Sequence, residues 1–449
     1  MPPAGSLNPE KAMSSFDLAI KNGLIVDGSR GKPFMANIYI KDGKIAEISK
    51  EERSAIKSIE SRGQVVSPGF VDIHSHSDCS FQKNPTHEGK LAQGVTFELL
   101  GQCGSSLVPL NEKNRDSVIR TVGSSFGVPF DGDDFSACDF SGYAAEVLRR
   151  QVSINLGALI GHGTLRSFIA GWDLLQLTQA EMDAMCHLLD DLLLQGSLGL
   201  SLGLIYPPGS FCDTGEILSL ARTLAKRDRL LAVHMRNENE GVFSAFDEMI
   251  SVARKTGVRL QISHLKLMGE SQWGRAGDLL AKLDAARQEG IRVYCDQYPY
   301  TASCSPLTSC FPSWVLEGGY GKLVERLKNE WEKIKQTGLP ELYKRGGPAR
   351  VVITDTCGFI PEYEGLNLDE AAKKMGVPLF EAIRELLISC EGIIGCIYHS
   401  MDEGDMLRIM ARNDIATASD GTAYAVTASG SDVARLRRTV CRTAASEDD

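Results

Sequence analysis

Two histidines follow a short, mostly apolar run in the first quarter of the chain. Residues 70–73 read Phe-Val-Asp-Ile, and His74 and His76 come directly after this stretch. Because alternate residues of a β-strand point to the same face, both imidazoles project side by side from one strand end. Neutral imidazoles are good ligands for a divalent metal such as zinc. A bare His-x-His is more often a polar pair at a solvated strand end, so this motif gains weight only from further ligands.

Further side chains able to bind a metal lie at the ends of other predicted strands. They are Cys103, His234, His264 and Asp420. Zinc binds imidazole, thiolate and carboxylate, and a catalytic site leaves one position open for water. A structural zinc site is closed and usually holds closely spaced cysteines, whereas no Cys-x-x-Cys pair occurs among these residues. The residue types therefore predict a catalytic metal centre.

The predicted ligands divide into two groups. We expect the two histidines of the first strand to hold one zinc ion together with Asp420. His234 and His264 would hold a second ion, and the Cys103 thiolate would bridge the pair. Two such ions, about 3.5–4 Å apart, form a site suited to hydrolysis.

The elements that must position these residues alternate between strand and helix. The predicted strands are residues 69–74, 96–100, 153–160, 198–205, 230–234, 259–264, 292–296 and 415–419. Helical patterns lie between them, among them residues 179–195, 215–226, 243–255 and 278–288. Eight parallel strands alternating with helices predict an α/β fold, a (β/α)8 TIM-type barrel whose reactive groups sit at the carboxyl ends of its strands. A doubly wound sheet is the alternative, but no Gly-x-Gly-x-x-Gly follows the first strand.

The chain also predicts segments outside the barrel. Residues 1–15 read as a disordered leader, and residues 16–66 as a small β module with a hairpin turn at Asp42 and Gly43. The barrel is expected over residues 67–430, with an insertion around 305–350 that contains a charged helix at 322–335. Residues 431–449 read as an atypical tail.

Composition limits the classes of partner. The chain has 449 residues, 43% hydrophobic and 24% charged, with a net charge of −10, which disfavours nucleic acid and anionic membrane as partners. No apolar run is long enough to span a membrane, and residues 1–5 lack the pattern of a secretory signal. Twelve cysteines without paired spacing indicate reduced thiols. We therefore expect a cytoplasmic protein with a small-molecule substrate; the oligomeric state is not indicated.

The combined motifs resemble the amidohydrolase superfamily. Residues 68–76 (PGFVDIHSH) match its first-strand motif, and His234, His264 and Asp420 match its ligands on strands five, six and eight. Many relatives bridge their metals with a lysine, but here Cys103 stands in a Gly-Gln-Cys-Gly setting and no lysine lies between residues 90 and 113. That departure resembles the N-acyl-D-amino-acid deacylase (D-aminoacylase) branch. Other stretches similar to this branch are residues 161–166 (GHGTLR), 199–209 (GLSLGLIYPPG), 234–238 (HMRNE), 264–266 (HLK) and 296–300 (DQYPY).

The resemblance implies zinc-dependent hydrolysis of the amide bond of N-acyl-D-amino acids. It implies one tightly bound zinc ion on Cys103, His234 and His264, with a weaker second site on the first-strand histidines and Asp420. Asp420 would take a proton from water and later pass it to the leaving amine, as general base and then acid. Lys266 and Tyr298 would surround the substrate carboxylate. The D-preference is implied by the resemblance alone.

The chain departs from the family after Asp420. Family members continue well past this point with a His-Pro-Arg segment whose arginine grips the substrate carboxylate, and no His-Pro-Arg occurs here. We therefore expect that the carboxyl-terminal part of the family is missing and that turnover is weak or absent in this form. Two alternatives remain open: an amidohydrolase acting on another amide, either cyclic or a β-aspartyl dipeptide, and a catalytically silent, truncated pseudoenzyme. A bridging cysteine argues against the cyclic-amide option. The remaining histidines outside the motifs, His87, His187 and His399, read as ordinary surface or helix residues.

Overall fold

A computed structural model describes residues 16–124, 130, 132–173 and 176–423. The chain divides into two compact units, one ending at Phe70 and the other beginning at Val71. The expected leader (1–15) and the atypical tail (431–449) lie outside the described residues, as do the last residues assigned to the barrel. Across the described chain, no helix combines the length and hydropathy needed to cross a membrane.

The first unit is a five-stranded β-sheet. Its strands are β1 (Phe16–Ile25), β2 (Phe34–Lys41), β3 (Lys44–Ser49), β4 (Ala55–Glu60) and β5 (Val65–Val66). Strands β2 and β3 pair antiparallel with Lys41 opposite Lys44, and both turn residues between them, Asp42 and Gly43, have positive φ. The predicted hairpin is thus confirmed, with the left-handed turn that Asp-Gly favours.

Eight strands form the predicted barrel. They are β6 (Phe70–Asp72), β7 (Val95–Leu100), β8 (Asn155–Ala158) with β9 (Ile160–Gly161), β10 (Gly199–Gly203), β11 (Leu230–His234), β12 (Arg259–Ile262), β13 (Val293–Gln297) and, last in the chain, β17 (Ala416–Thr417). The third predicted strand is split at Leu159, so β8 pairs with β7 and β9 with β10. A parallel bridge from Ser75 to Gly421 links the last strand to the first. The predicted (β/α)8 barrel with a small N-terminal β module is confirmed.

Helices separate the barrel strands. They are α1 (Ser80–Lys83), α2 (Glu88–Leu91), α3 (Arg115–Ser124), α4 (Phe140–Arg149), α5 (His162–Ala170), α6 (Gln179–Leu194), α7 (Thr214–Lys226), α8 (Val242–Thr256), α9 (Ala276–Gln288) and α14 (Glu403–Met410). The start of α6 is fixed by a capping box in which Thr178 and Glu181 satisfy each other's backbone N–H groups. Apolar faces of these helices pack on strands such as β11, whose residues after Leu230 are all buried. Strands covered on both faces read as continuous apolar runs, which explains why the sequence pattern revealed them.

The part of the chain that connects β13 to β17 builds a second hydrophobic core. It is built by β14 (Ser303–Pro306), α10 (Tyr320–Asn329), α11 (Trp331–Lys344), β15 (Val351–Asp355), α12 (Leu368–Met375), α13 (Leu379–Ser389) and β16 (Gly395–Tyr398). The three strands form an antiparallel sheet in the order β14-β16-β15. The insertion expected around 305–350 therefore belongs to a larger segment with its own core. We call residues 303–398 the inserted segment.

Candidate metal centre

The predicted ligands lie at or just beyond the carboxyl ends of barrel strands, on special backbone geometry. Cys103, His264 and Asp420 have φ values of 51°, 37° and 48°, in the left-handed region that non-glycine residues seldom adopt. Such conformations cost free energy and cluster at functional sites. Gly101 makes the turn before Cys103 possible, because it has a φ of 71° and a Cβ there would lie 2.0 Å from the carbonyl oxygen of Leu159.

The first group consists of His74, His76, Cys103 and Asp420. Asp420 Oδ1 lies 3.2 Å from His74 Nε2 and 3.1 Å from His76 Nε2. The Cys103 Sγ atom is 3.4 Å from His74 Nε2. One ligand atom from each of the four residues falls within 4.8 Å of the others. The first and last strands thus bring together donors that are far apart in sequence.

Cys103 also belongs to a second group, with His234 and His264. Its Sγ atom is 3.5 Å from His264 Nε2, and the two imidazole rings lie with centroids 4.4 Å apart. Both ring nitrogens of His234 are buried, and neither makes a hydrogen bond to a described residue, although Nε2 is 3.3 Å from Glu238 Oε2. Buried polar atoms without partners are costly, so the chemistry of these nitrogens fits a role as metal ligands. Imidazole, thiolate and carboxylate donors in this arrangement suit zinc.

Two carboxylates orient the histidines from outside the groups. Asp296, in β13, accepts from His74 Nδ1 at 3.2 Å and from the backbone N–H of His264 at 2.8 Å. Glu238 Oε1 lies 3.1 Å from His264 Nδ1. Contacts of this kind fix the rotation of metal-binding imidazoles. Neither residue was given a role from the sequence, although both belong to stretches similar to the deacylase branch, residues 234–238 and 296–300.

The electrostatics of the site favour the ionised forms of its thiol and carboxyl groups. Burial alone would raise the pKa of the Cys103 thiol, but His74 and His264 outweigh it and hold that pKa well below its usual range. Burial is likewise outweighed at Asp420, where His74 and His76 keep the pKa of the carboxyl well below its usual range. Burial and Lys266 lower the pKa of His264, yet Glu238 and Cys103 raise it to about 9. A cluster of buried anionic groups that draws protons onto its histidines is also one that a metal cation would stabilise.

The two predicted substrate-binding residues lie beside the second group. The Lys266 ammonium donates to Glu238 Oε1 at 2.7 Å, and its Nζ lies 2.8 Å from His264 Nδ1. Tyr298 is buried, with its ring centroid 6.1 Å from that of His264. Its hydroxyl lies 3.8 Å from the sulfur of Met401. Lys266 is thus engaged with a carboxylate and a metal-competent imidazole of the chain itself.

The histidines outside the motifs differ from one another. His187 is exposed on α6 and His399 is half-buried. The interpretation of His87 as an ordinary surface or helix residue is wrong, because its side chain is fully buried and its Nδ1 lies 2.7 Å from Glu98 Oε2. Glu98 is a buried residue of β7, and the packing of α2 against β7 brings the two side chains together.

Beneath the metal-competent groups lies a buried ionic network. Lys90 donates to Asp72 Oδ2 at 2.7 Å and to Ser419 Oγ at 2.8 Å, and it lies 2.8 Å from Glu98 Oε1. These contacts join the first, second and eighth strands next to Asp420. A separate buried trio, His162, Cys212 and Glu216, lies outside the predicted groups. Glu216 there already contacts the Arg166 guanidinium at 3.3 Å, which leaves it less suited to a metal.

The chain is similar to curated deacylases over most of its length. No protein-family model matches it. It is 31% identical over 407 residues to the N-acyl-D-glutamate deacylase of Alcaligenes xylosoxydans xylosoxydans, an alignment covering 90% of this chain and 74% of that protein. The D-aminoacylase of the same organism is 29% identical over 409 residues, with the same two shares.

Solved structures give the same result. The N-acyl-D-glutamate deacylase of Bordetella bronchiseptica, complexed with zinc and a phosphonate inhibitor that mimics the tetrahedral intermediate, aligns with a TM-score of 0.74 and 30% identity over 90% of this chain and 76% of that one. A D-aminoacylase crystal structure aligns with a TM-score of 0.73 and 30% identity over 90% and 75%. Another D-aminoacylase structure concerns a binuclear centre with one-metal activation and second-metal attenuation.

Proposed function

The chain belongs to the N-acyl-D-amino-acid deacylase (D-aminoacylase) branch of the amidohydrolase superfamily, and from this premise we propose that it hydrolyses the amide bond of N-acyl-D-amino acids with the help of zinc. The products would be a carboxylate and a D-amino acid. The observation that carries the proposal is the position of Cys103, whose thiol lies within 3.5 Å of imidazole nitrogens from both groups. One thiolate between two sets of histidines is the arrangement expected for the cysteine-containing branch.

We assign the principal zinc site to Cys103, His234 and His264. A second, weaker site would use His74, His76 and Asp420. Zinc bound at such a site acidifies a coordinated water and polarises a carbonyl oxygen. The three principal ligands are all buried, which keeps competing bulk water away from the ion.

Asp420 is the proposed general base and acid. Its side chain is 22% exposed to solvent, so water and substrate can reach it. Its Oδ1 contacts His74 and His76. A carboxylate held ionised by its neighbours accepts a proton from the attacking water. The same oxygen then returns that proton to the leaving amine nitrogen, so the proton balance closes within one turnover.

Lys266 and Tyr298 are proposed to border the substrate carboxylate. An ammonium and a phenol are suitable donors to that anion. Since Lys266 donates to Glu238 and its Nζ lies 2.8 Å from His264 Nδ1, we propose that it also holds His264 in position. The cytoplasmic location and the lack of nucleic-acid or membrane partners stay predictions.

The proposal is tested by turnover of N-acetyl-D-methionine and N-acetyl-L-methionine by purified, zinc-loaded protein. We expect slow hydrolysis of the D-substrate with little of the L-substrate, lost in Cys103→Ala and retained in a matched exposed variant, Cys138→Ala. Fast turnover would refute the expectation of weak or absent activity. Hydrolysis of a cyclic amide or a β-aspartyl dipeptide in place of the D-substrate would redirect the assignment to another amide. Zinc bound without turnover of any of them would indicate the catalytically silent form.

A further inference from the structure

A cavity of about 410 Å³ opens beside the second ligand group. One wall consists of the segments that follow β10 and β11, namely residues 204–205 and 236–239. The inserted segment forms another wall, with Ser309, residues 311–313 and two residues of α11, Thr337 and Glu341. Ligand sites in proteins commonly enclose about 300–1,000 Å³ and carry a few polar groups that orient the ligand. The cavity therefore has the size of a small-molecule site.

The cavity adjoins the metal centre through Glu238. This residue lines the cavity and lies 3.1 Å from His264 Nδ1 and 3.3 Å from His234 Nε2. Leu204, also in the wall, follows directly on β10, and its N–H donates to the carbonyl oxygen of His234. Glu238 is therefore common to the wall of the cavity and to the surroundings of the metal centre.

Arg345 projects its guanidinium against this cavity from the end of α11. The residue is only 9% exposed. Its Nη1 lies 3.4 Å from Ser309 Oγ, and its guanidinium carbon stands 5.5 Å from the ring centroid of Tyr398. Among the described residues, its Nε has no hydrogen-bond partner and the guanidinium has no carboxylate within 4.0 Å. The carboxyl end of a helix provides only a fraction of a negative charge, so the cation lacks a full counter-ion.

The other charged groups of the cavity are paired. Glu238 is bound to the ammonium of Lys266 at 2.7 Å. Arg236 contacts Glu248 at 3.2 Å, and Glu341 contacts Lys344 at 2.9 Å. Arg345 is thus the cavity cation that remains available for an anion from outside the described chain.

We propose that Arg345 binds a carboxylate of the substrate inside this cavity. The inference rests on the proposed function and deepens it, because it adds an anion-binding residue from the inserted segment to the proposed pair Lys266 and Tyr298. A guanidinium offers two parallel N–H donors that match the two oxygens of a carboxylate. The carboxylate is either the α-carboxylate, which every N-acyl amino acid carries, or a side-chain carboxylate, which only acidic substrates carry. Either would neutralise the buried cation.

The test compares zinc-loaded wild type with Arg345→Gln on N-acetyl-D-methionine and N-acetyl-D-glutamate. Loss of a charge-assisted contact should raise KM about tenfold to a hundredfold, with a smaller change in kcat. An equal rise for both substrates identifies the α-carboxylate, and a rise confined to N-acetyl-D-glutamate identifies the side-chain carboxylate. Arg345→Lys should recover part of the lost affinity, because it restores the positive charge without the two parallel N–H donors of the guanidinium. A purely structural role would lower stability and leave KM unchanged.

Controls separate this inference from the proposed function. Arg350→Gln removes a half-exposed guanidinium that pairs with Glu270 outside the cavity, and it should leave KM unchanged. Arg345→Met keeps the aliphatic stem over Tyr398 and serves where Arg345→Gln does not fold. Calorimetric binding of D-glutamate and D-methionine tests Arg345 even where no substrate is turned over. Unchanged KM and unchanged Kd in folded charge-free variants overturn the inference, whereas a protein without turnover but with Arg345-dependent binding overturns only the deacylase assignment.

Discussion

Asp420 is the residue on which the proton transfers depend. We predict that Asp420→Asn lowers kcat at least about a hundredfold, because an amide cannot accept the proton from water. Zinc held by Cys103, His234 and His264 should remain bound, so the loss would not reflect an empty site. The measurement is kcat for N-acetyl-D-methionine together with zinc content. Asp414→Asn, which removes a partly exposed partner of Arg412, is the matched control and should keep its kcat. Normal turnover by Asp420→Asn would contradict the assignment.

Lys266 and Glu238 form a buried ion pair at 2.7 Å. We predict that Lys266→Met destabilises the protein by about 3–5 kcal/mol, because it leaves the Glu238 carboxylate buried without its cation. The double variant Lys266→Met/Glu238→Gln should recover a large part of that loss. Urea unfolding of the two single variants and the double variant measures the coupling. Additive effects would show that the two side chains do not depend on each other.

At the scale of elements, the turn after β7 determines where Cys103 points. We predict that Gly101→Ala prevents normal folding or abolishes metal binding, because the added methyl would overlap the carbonyl of Leu159 at 2.0 Å and the residue must keep a φ of 71°. Gly89→Ala is the control, since a Cβ in α2 at that position meets no atom within 4 Å. Thermal melting and zinc content of both variants provide the comparison. A Gly101→Ala protein with wild-type melting and zinc would refute this account of the turn.

The contacts of Glu98 with Lys90 and His87 join β7 to the first and last strands. Burial disfavours the Glu98 carboxylate, but His87 and Lys90 outweigh it and lower the pKa of Glu98 to about 2. A group whose pKa is lower in the folded state stabilises the fold above its unfolded pKa and loses that contribution as the pH falls toward its folded pKa. Between the ordinary value of 4.5 and about 2, the loss should be on the order of 3 kcal/mol.

We therefore predict that Glu98→Gln shows a shallower loss of stability than wild type between about pH 5 and pH 3, although it starts from a lower stability at neutral pH. Urea unfolding across this range measures the slope. Glu332→Gln, exposed on α11, should reproduce the wild-type slope. Parallel curves for wild type and Glu98→Gln would show that the network does not contribute as described.

On the scale of the whole molecule, the barrel was predictable because buried parallel strands are continuous apolar runs with polar residues at their ends. His74, Cys103 and Asp420 could be selected from the sequence because their residue types are rare at such positions. The roles of Asp296 and Glu238 could not, since orienting a histidine depends on distances across the barrel. The error at His87 has another cause, because the burial of this residue beside Glu98 depends on how α2 packs against β7. Arg345 gave no sequence signal, because its lack of a counter-ion depends on how the inserted segment packs.

The central claim is that Cys103 shares one zinc ion with imidazoles from distant strands. X-ray absorption at the zinc edge of the purified, zinc-loaded protein tests it most directly. The account predicts one sulfur ligand at about 2.3 Å together with imidazole nitrogens at about 2.0–2.1 Å. A zinc ion surrounded by nitrogen and oxygen alone, or a protein that binds no zinc, would contradict it.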